Sequence, residues 1–398
     1  MTSAIDDGIT ERQRLLSIAA VCSTSFGTGI SFGIGFPLTS LTFELWNQPS
    51  WMIGLAGAAP PFAILLALPI APRLIAKFGP VGSIVGGCLI GALGFLALAL
   101  FQSPWAWIAI RVLMSAGFAM PWLVGETWIN AVTREETRGR VIAIYAMVFF
   151  TGYAIGPVLL QALGLHGPLP FLAAAVVTGL SGFPVMIGRQ LAPPVEHDTS
   201  LNVAAAFRWA PVAMVAAFVG GFSEITVLSL IPNVALAAGW SQYPALALLT
   251  VTTVGGIVLQ YPVGWLSDRV SRFAMMIVSV LLFIALALAL PLALTNPVAG
   301  YMTAFLMGGV ILGFYALGLA IIGERVSASG LAAVNAAFII MYQLGALVGP
   351  ISAGMAMMDD AVHGFVTIVI VTMVITGIAL LVFNRMERRW AAEALDHG

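Results

Sequence analysis

Three ionisable side chains stand in stretches that are otherwise apolar: Arg111, Glu126 and Glu224. A guanidinium at membrane depth costs at least about 2.5–3.5 kcal/mol on insertion scales. Arg111 must therefore face a wetted cavity or an acid; the alternative is a structural arginine bonded to backbone carbonyls. Glu224 can hold a proton or a substrate cation, since a buried carboxylate needs a positive partner. Its alternatives are a permanent ion pair between halves or a carboxyl bonded to Ser223 or Thr226. Glu126 lies near the end of its apolar run, with Arg138 and Arg140 close along the chain. It reads as a latch to one of those arginines, with a proton site as the alternative. His166, His197, His363 and His397 form no ligand cluster, and Cys22 and Cys88 sit in apolar runs. No metal, no cofactor and no enzymatic centre are expected from these spacings.

These residues must be positioned by helices in a bilayer. The chain has 398 residues, of which 60% are apolar and only 8% charged, with a mean hydropathy of +1.03. So few charges cannot cover a soluble domain of this size, where about 25% is usual. A water-soluble enzyme and a nucleic-acid binder are excluded; the partners expected are the lipid bilayer, a small molecule and protons. The net charge of −1 names no partner. About 20 apolar residues cross a bilayer. Twelve such spans are read near 14–38, 50–71, 80–101, 104–130, 139–163, 168–188, 209–235, 243–266, 273–294, 297–322, 330–356 and 361–383. The first reads as a retained helix whose Gly27, Gly29, Gly33 and Gly35 suit close packing,.

Of 16 Lys and Arg residues, 15 fall on one side of this map, Arg14 at the very edge of the first span among them, and only Arg111 lies deep within a span. The asymmetry predicts cytoplasmic termini. The fold class expected is all-α, with two pseudo-symmetric bundles of six helices: 1–188 and 209–398, joined by a cytoplasmic linker at 189–208. The halves echo each other. Gly152-Tyr153-Ala154-Ile155-Gly156-Pro157 in span 5 matches Gly345-Ala346-Leu347-Val348-Gly349-Pro350 in span 11, and Gly125-Glu126 matches Gly323-Glu324. Such repeats belong to secondary transporters with a site near the midplane. The six motif positions Gly152, Gly156, Pro157, Gly345, Gly349 and Pro350 read first as a packing device, because glycines four apart let helices approach closely,.

Over its whole length the chain resembles the major facilitator superfamily, and within it the bacterial group typified by YcaD. Four stretches carry the likeness: Arg111 to Gly117; Glu126-Thr127-Trp128 with Arg138-Gly139-Arg140 and Tyr145; Gly152 to Pro157; and Gly264-Trp265-Leu266-Ser267-Asp268-Arg269 with Arg272. The first-half copy of the last motif has Ala76 where the pattern puts Asp, so a gate built on that carboxylate rests on Asp268. The resemblance implies that spans 4 and 7 line a central cavity, with Arg111 and Glu224 facing it from opposite halves. It implies that Phe32, Phe36, Trp122, Phe222 and Tyr315 line that cavity, and that Asp268, Arg269, Arg138, Arg140 and Glu324 act in gating. It further implies a monomeric carrier of the bacterial inner membrane that moves a small, apolar or monovalent organic solute by rocking its halves. Proton antiport in the export direction is the first reading; symport or uniport uptake is the second. A non-transporting sensor on the same fold is the rival of another class.

Overall fold

The computed structural model describes residues 10–134, 137–192, 209–267, 269–325 and 331–396, with side chains omitted at 324–325, 331–333 and 388–396. Twelve α-helices follow one another among them: α1 (Glu11–Leu45), α2 (Ser50–Ala67), α3 (Ala71–Leu100), α4 (Pro104–Val132), α5 (Arg138–Leu163), α6 (Leu169–Ser181), α7 (Pro211–Ala237), α8 (Gln242–Ser267), α9 (Arg272–Ala293), α10 (Pro297–Arg325), α11 (Leu331–Ala356) and α12 (Ala361–Asp396). All twelve are long and apolar enough to cross a membrane once the short turn after α6 extends that span to Met186. The protein is a multi-pass membrane protein, with twelve spans among the described residues.

Local chemistry sets several boundaries. The segment from Ala71 is not continuous with the span that follows: Gly79 sits at φ +71°, a conformation that favours glycine, and Pro80 starts the membrane helix,. Ser271 opens α9 by accepting the Ala274 amide at 3.1 Å, and Asp360 opens α12 by accepting the His363 amide at 2.9 Å,. Two helices outrun the expected spans. α1 continues past Pro37 to Leu45 because Leu38, Leu41 and Phe43 are buried. α12 runs on to Asp396 as a polar tail that the membrane does not require.

The motif glycines lie where backbones touch. In the first half, a Cβ at Gly152 would strike the carbonyl of Phe26, and one at Gly156 would strike the backbone of Gly33. In the second half, Gly345 meets the Phe218 carbonyl and Gly349 meets Phe222 and Thr226. Thus α5 lies on α1 as α11 lies on α7, and the sequence echo is a repeated helix–helix contact.

Contacts divide the chain into two compact units, Met1–Leu38 with Ala63–His197, and Thr39–Phe62 with Asp198–Gly398. The strip Thr39–Phe62, from the ends of α1 and α2 remote from the termini, therefore goes with the second unit. Within that unit Asn233 donates to the Ser40 carbonyl at 3.3 Å and to Glu44 Oε2 at 3.0 Å. Gly54 rests on the Pro350 carbonyl, Gly354 on that of Ser50, and Gly57 against the Ser229 hydroxyl. The expected linker falls largely at 193–208, outside the described residues.

Candidate functional site

In the first unit Arg111 is 3% exposed. Its Nη1 donates to the Gly35 carbonyl at 3.0 Å, and its guanidinium lies 5.4 Å from the centre of the Phe36 ring. The carbonyl bond is what a structural arginine makes; the aromatic face adds a cation–π contact. Around it stands a cluster of rings. Phe32 is 6.1 Å from Phe36, 5.0 Å from Phe118 and 6.1 Å from Phe149, and Phe36 is 6.3 Å from Tyr153. Of the expected lining residues, Phe32 and Phe36 are brought together here, while Trp122 stands apart beside Glu126.

Glu126 accepts a hydrogen bond from Trp122 Nε1 at 3.0 Å, one helical turn back on α4. The Tyr145 hydroxyl packs over neighbouring Gly125. Arg138 and Arg140 are exposed at the start of α5. An ion pair at this end of the unit joins Arg134, two residues past α4, to Glu11 at the start of α1 at 2.8 Å. Nearly two helical turns into α1, Trp128 Nε1 donates to the buried Ser17 hydroxyl at 2.8 Å,.

In the second unit Glu224 is 9% exposed and takes a hydrogen bond from the Tyr342 side chain. The Tyr342 ring lies 5.4 Å from that of Tyr315, at 87°, and Phe338 braces Tyr315 from 5.2 Å. Phe222, stacked 6.5 Å from Phe218, is buried on α7. Ser223 and Thr226, the expected alternative partners of Glu224, carry hydroxyls without a hydrogen bond in the structure. Arg111 and Glu224 fall in different units, and each is described within its own.

Tyr342 escaped the sequence reading. A signal exists in the repeat: Tyr342 and Phe149 each stand three residues before the first motif glycine of their helix. The backbone contacts extend this register, since Gly29 meets the Phe149 carbonyl as Gly221 meets that of Tyr342. The same register carries Phe32 onto Glu224. One half thus places two phenyl rings where the other places a carboxyl and a phenol.

At the gating positions, Arg269 stacks 3.6 Å over Trp265, and Arg272 Nη1 donates to the Ala320 carbonyl at 2.5 Å, tying α9 to α10. Asp268 and the Glu324 side chain lie outside the described residues. A cavity of about 320 Å³ between the ends of α7, α9 and α12 is lined in part by Thr295, Asp360 and His363 and by none of the expected site residues. The described residues contain no group of three or more potential metal ligands.

A family model described as Major Facilitator Superfamily matches residues 15–350 and, in a second match, 213–395. The chain is 27% identical over 335 residues to the uncharacterized MFS-type transporter YfkF of Bacillus subtilis, covering 82% of this chain and 85% of that one. It is 27% identical over 315 residues to the uncharacterized MFS-type transporter YcaD of Escherichia fergusonii, covering 78% and 81%. Among solved structures, the nucleoside transporter NupG aligns with a TM-score of 0.71 at 15% identity, over 94% of this chain and 98% of that one. A bacterial homologue of the human lysosomal transporter Spinster, inward-facing and occupied, aligns at 0.70 and 16% identity, over 95% and 98%. At these identities the solved structures speak for the fold.

Proposed function

Because the chain belongs to the Major Facilitator Superfamily, we propose that this membrane transporter is a proton-coupled antiporter that exports a small organic solute from a bacterial cell, with both termini in the cytoplasm. Glu224 is the coupling site. One observation carries this reading: Glu224 is a buried carboxyl whose hydrogen bond comes from a phenol, and the apolar stretches of α7–α12 hold no Lys or Arg to neutralise it. A proton is the cation that can come and go. Arg111, held against Gly35 and Phe36, supplies positive charge within the first unit. The aromatic clusters around both residues support a largely apolar or monovalent solute, since a polyvalent anion needs more than one buried cation.

The test is flux in proteoliposomes. Solutes are first found by thermal stabilisation of the purified protein, because a ligand of the folded state stabilises by mass action. Wild type then converts an imposed pH gradient into uphill movement of that solute, against the direction of the protons. Glu224→Gln loses proton-driven flux, and exchange persists only for a solute whose binding does not need the carboxylate. Undiminished proton-driven flux in Glu224→Gln refutes the coupling role. Co-movement of solute and protons replaces antiport with symport, and flux indifferent to pH replaces it with uniport.

A further inference from the structure

We propose that the transported solute carries a protonated amine, bound in the second unit by the Glu224 carboxylate and the rings of Tyr315 and Tyr342; this rests on the transporter reading and gives it a substrate class. Three helices build the site. Gly220 of α7 lies against the backbone of Tyr315 on α10, and Gly221 lies on the Tyr342 carbonyl of α11. Glu224 is one helical turn beyond these glycines, on the face between α10 and α11. Its carboxylate has about four lone-pair sites, and Tyr342 serves one of them. The tyrosine rings meet nearly at a right angle, 5.4 Å apart, and both remain partly accessible. An ammonium seated in such a corner meets ring faces that attract cations while its N–H groups donate to the carboxylate.

The charge around the site favours the same ligand. Tyr342 faces Glu224 from α11, and Tyr315 stands behind it on α10. Glu44 is engaged by Asn233 at one end of α7, and Glu387 of α12 by the Val212 amide at the other, at 3.3 Å. The Arg and His residues of α7–α12 are Arg272, Arg325 and His363, each within three residues of a helix end, and Arg385, Arg388 and Arg389 in the polar tail of α12; the apolar stretches between hold no Lys, Arg or His. An anionic solute would face an uncompensated carboxylate there. A protonated amine neutralises it, and on entry the carboxyl proton leaves for water, so one proton departs for each monovalent cation bound. At the register-equivalent positions the first unit offers only Phe32 and Phe149, rings suited to an apolar body.

The experiment measures binding to purified full-length protein by calorimetry. The probes are monoamines from 2-phenylethylamine up to drug size, each with its alcohol and carboxylate isosteres. The expected result is that amines bind at least tenfold more tightly than either isostere. Amine affinity should rise tenfold per pH unit where Glu224 is protonated in the free protein, with one proton released per amine. Glu224→Gln removes the preference, Tyr315→Leu weakens amine binding at least fivefold, and Tyr315→Phe retains it; monodisperse elution confirms that each variant is folded. Equal affinity for amines and isosteres, no binding by any amine, or unchanged amine binding in Glu224→Gln overturns the assignment. The coupling role stands or falls separately, on proton-driven flux of whatever solute the protein carries.

Discussion

The backbone contacts at the repeated glycines make a sharp prediction about Gly156→Ala and Gly345→Ala. A Cβ at residue 156 would land on the backbone of Gly33, and one at residue 345 on the Phe218 carbonyl. Neither obstacle is the flexible end of a side chain, so α1 and α5, or α7 and α11, must separate. Overpacking costs typically about 1–3 kcal/mol, and a backbone obstacle puts these sites toward the upper end. Alanine returns about 0.8–1.0 kcal/mol of helix propensity, leaving a net loss of about 1–2 kcal/mol at each site. Gly86 and Gly264 are internal controls: both are helical and a Cβ there meets nothing within 4 Å. Their alanine variants gain up to about 1 kcal/mol on the same scale. The two classes should differ by about 2–3 kcal/mol, more than tenfold in the folded-to-unfolded ratio. The assay is heating in detergent followed by size-exclusion of the surviving monodisperse protein. Gly156→Ala and Gly345→Ala should melt below wild type, and Gly86→Ala and Gly264→Ala at or above it. If the motif variants melt with the controls, the close contacts do not bear on stability and the packing account fails. If the motif packs and does nothing more, the surviving folded fraction of each variant keeps its proton coupling.

Three further outcomes are expected. Ser17→Ala strips the buried Trp128 Nε1 of its acceptor and costs about 1–3 kcal/mol; adding Trp128→Phe restores part of that stability, and an additive double mutant would contradict the pairing. His363 donates its backbone N–H and presents its ring to Asp360, holding that exposed carboxyl below the ordinary aspartate range. A lowered folded-state pKa gives stability that is full above the ordinary value near 4 and is lost as pH falls through the folded value, so Asp360→Ala should lower the melting temperature at pH 7 and by progressively less as the pH is taken below about 4; a difference that stays constant over that range argues against the linkage. Asn233→Ala removes both hydrogen bonds to the strip Thr39–Phe62, about 1–2 kcal/mol. In a protein with Cys22 and Cys88 replaced, Ser229→Cys should then label about tenfold faster with a membrane-impermeant thiol reagent, and an unchanged rate would show that Asn233 does not hold that strip.

The helices were legible because a bilayer demands long apolar runs and because Gly79-Pro80, Ser271 and Asp360 mark local boundaries. The run of α1 to Leu45 was not, since it shows only in the burial of Leu41 and Phe43 beyond Pro37. At the candidate site, Arg111 and Glu224 stood out as charges where charge is costly. Tyr342 did not, because a tyrosine in a membrane helix has many uses and only its hydrogen bond to Glu224 selects one. Glu126 shows the opposite bias. Arginines close along the chain suggested a partner, yet the structure bonds it to Trp122 at the i−4 position of its own helix. Spacing on a helix is geometry that sequence can supply; contact across a loop is not.

The assignment of Thr39–Phe62 to the second unit changes where this protein can be recombined with a relative. A chimera spliced in the linker would carry a foreign Ser40 and Glu44 to Asn233, and foreign Ser50, Gly54 and Gly57 to Gly354, Pro350 and Ser229. The crossovers that keep native neighbours together fall at 38/39, 62/63 and the linker. The first two follow closely on Pro37 and on Pro60-Pro61, where each helix already lacks a backbone donor. A three-cut exchange tolerated where the one-cut exchange misfolds would mark the hairpin of α1 and α2 as a piece of the second half lent by the first.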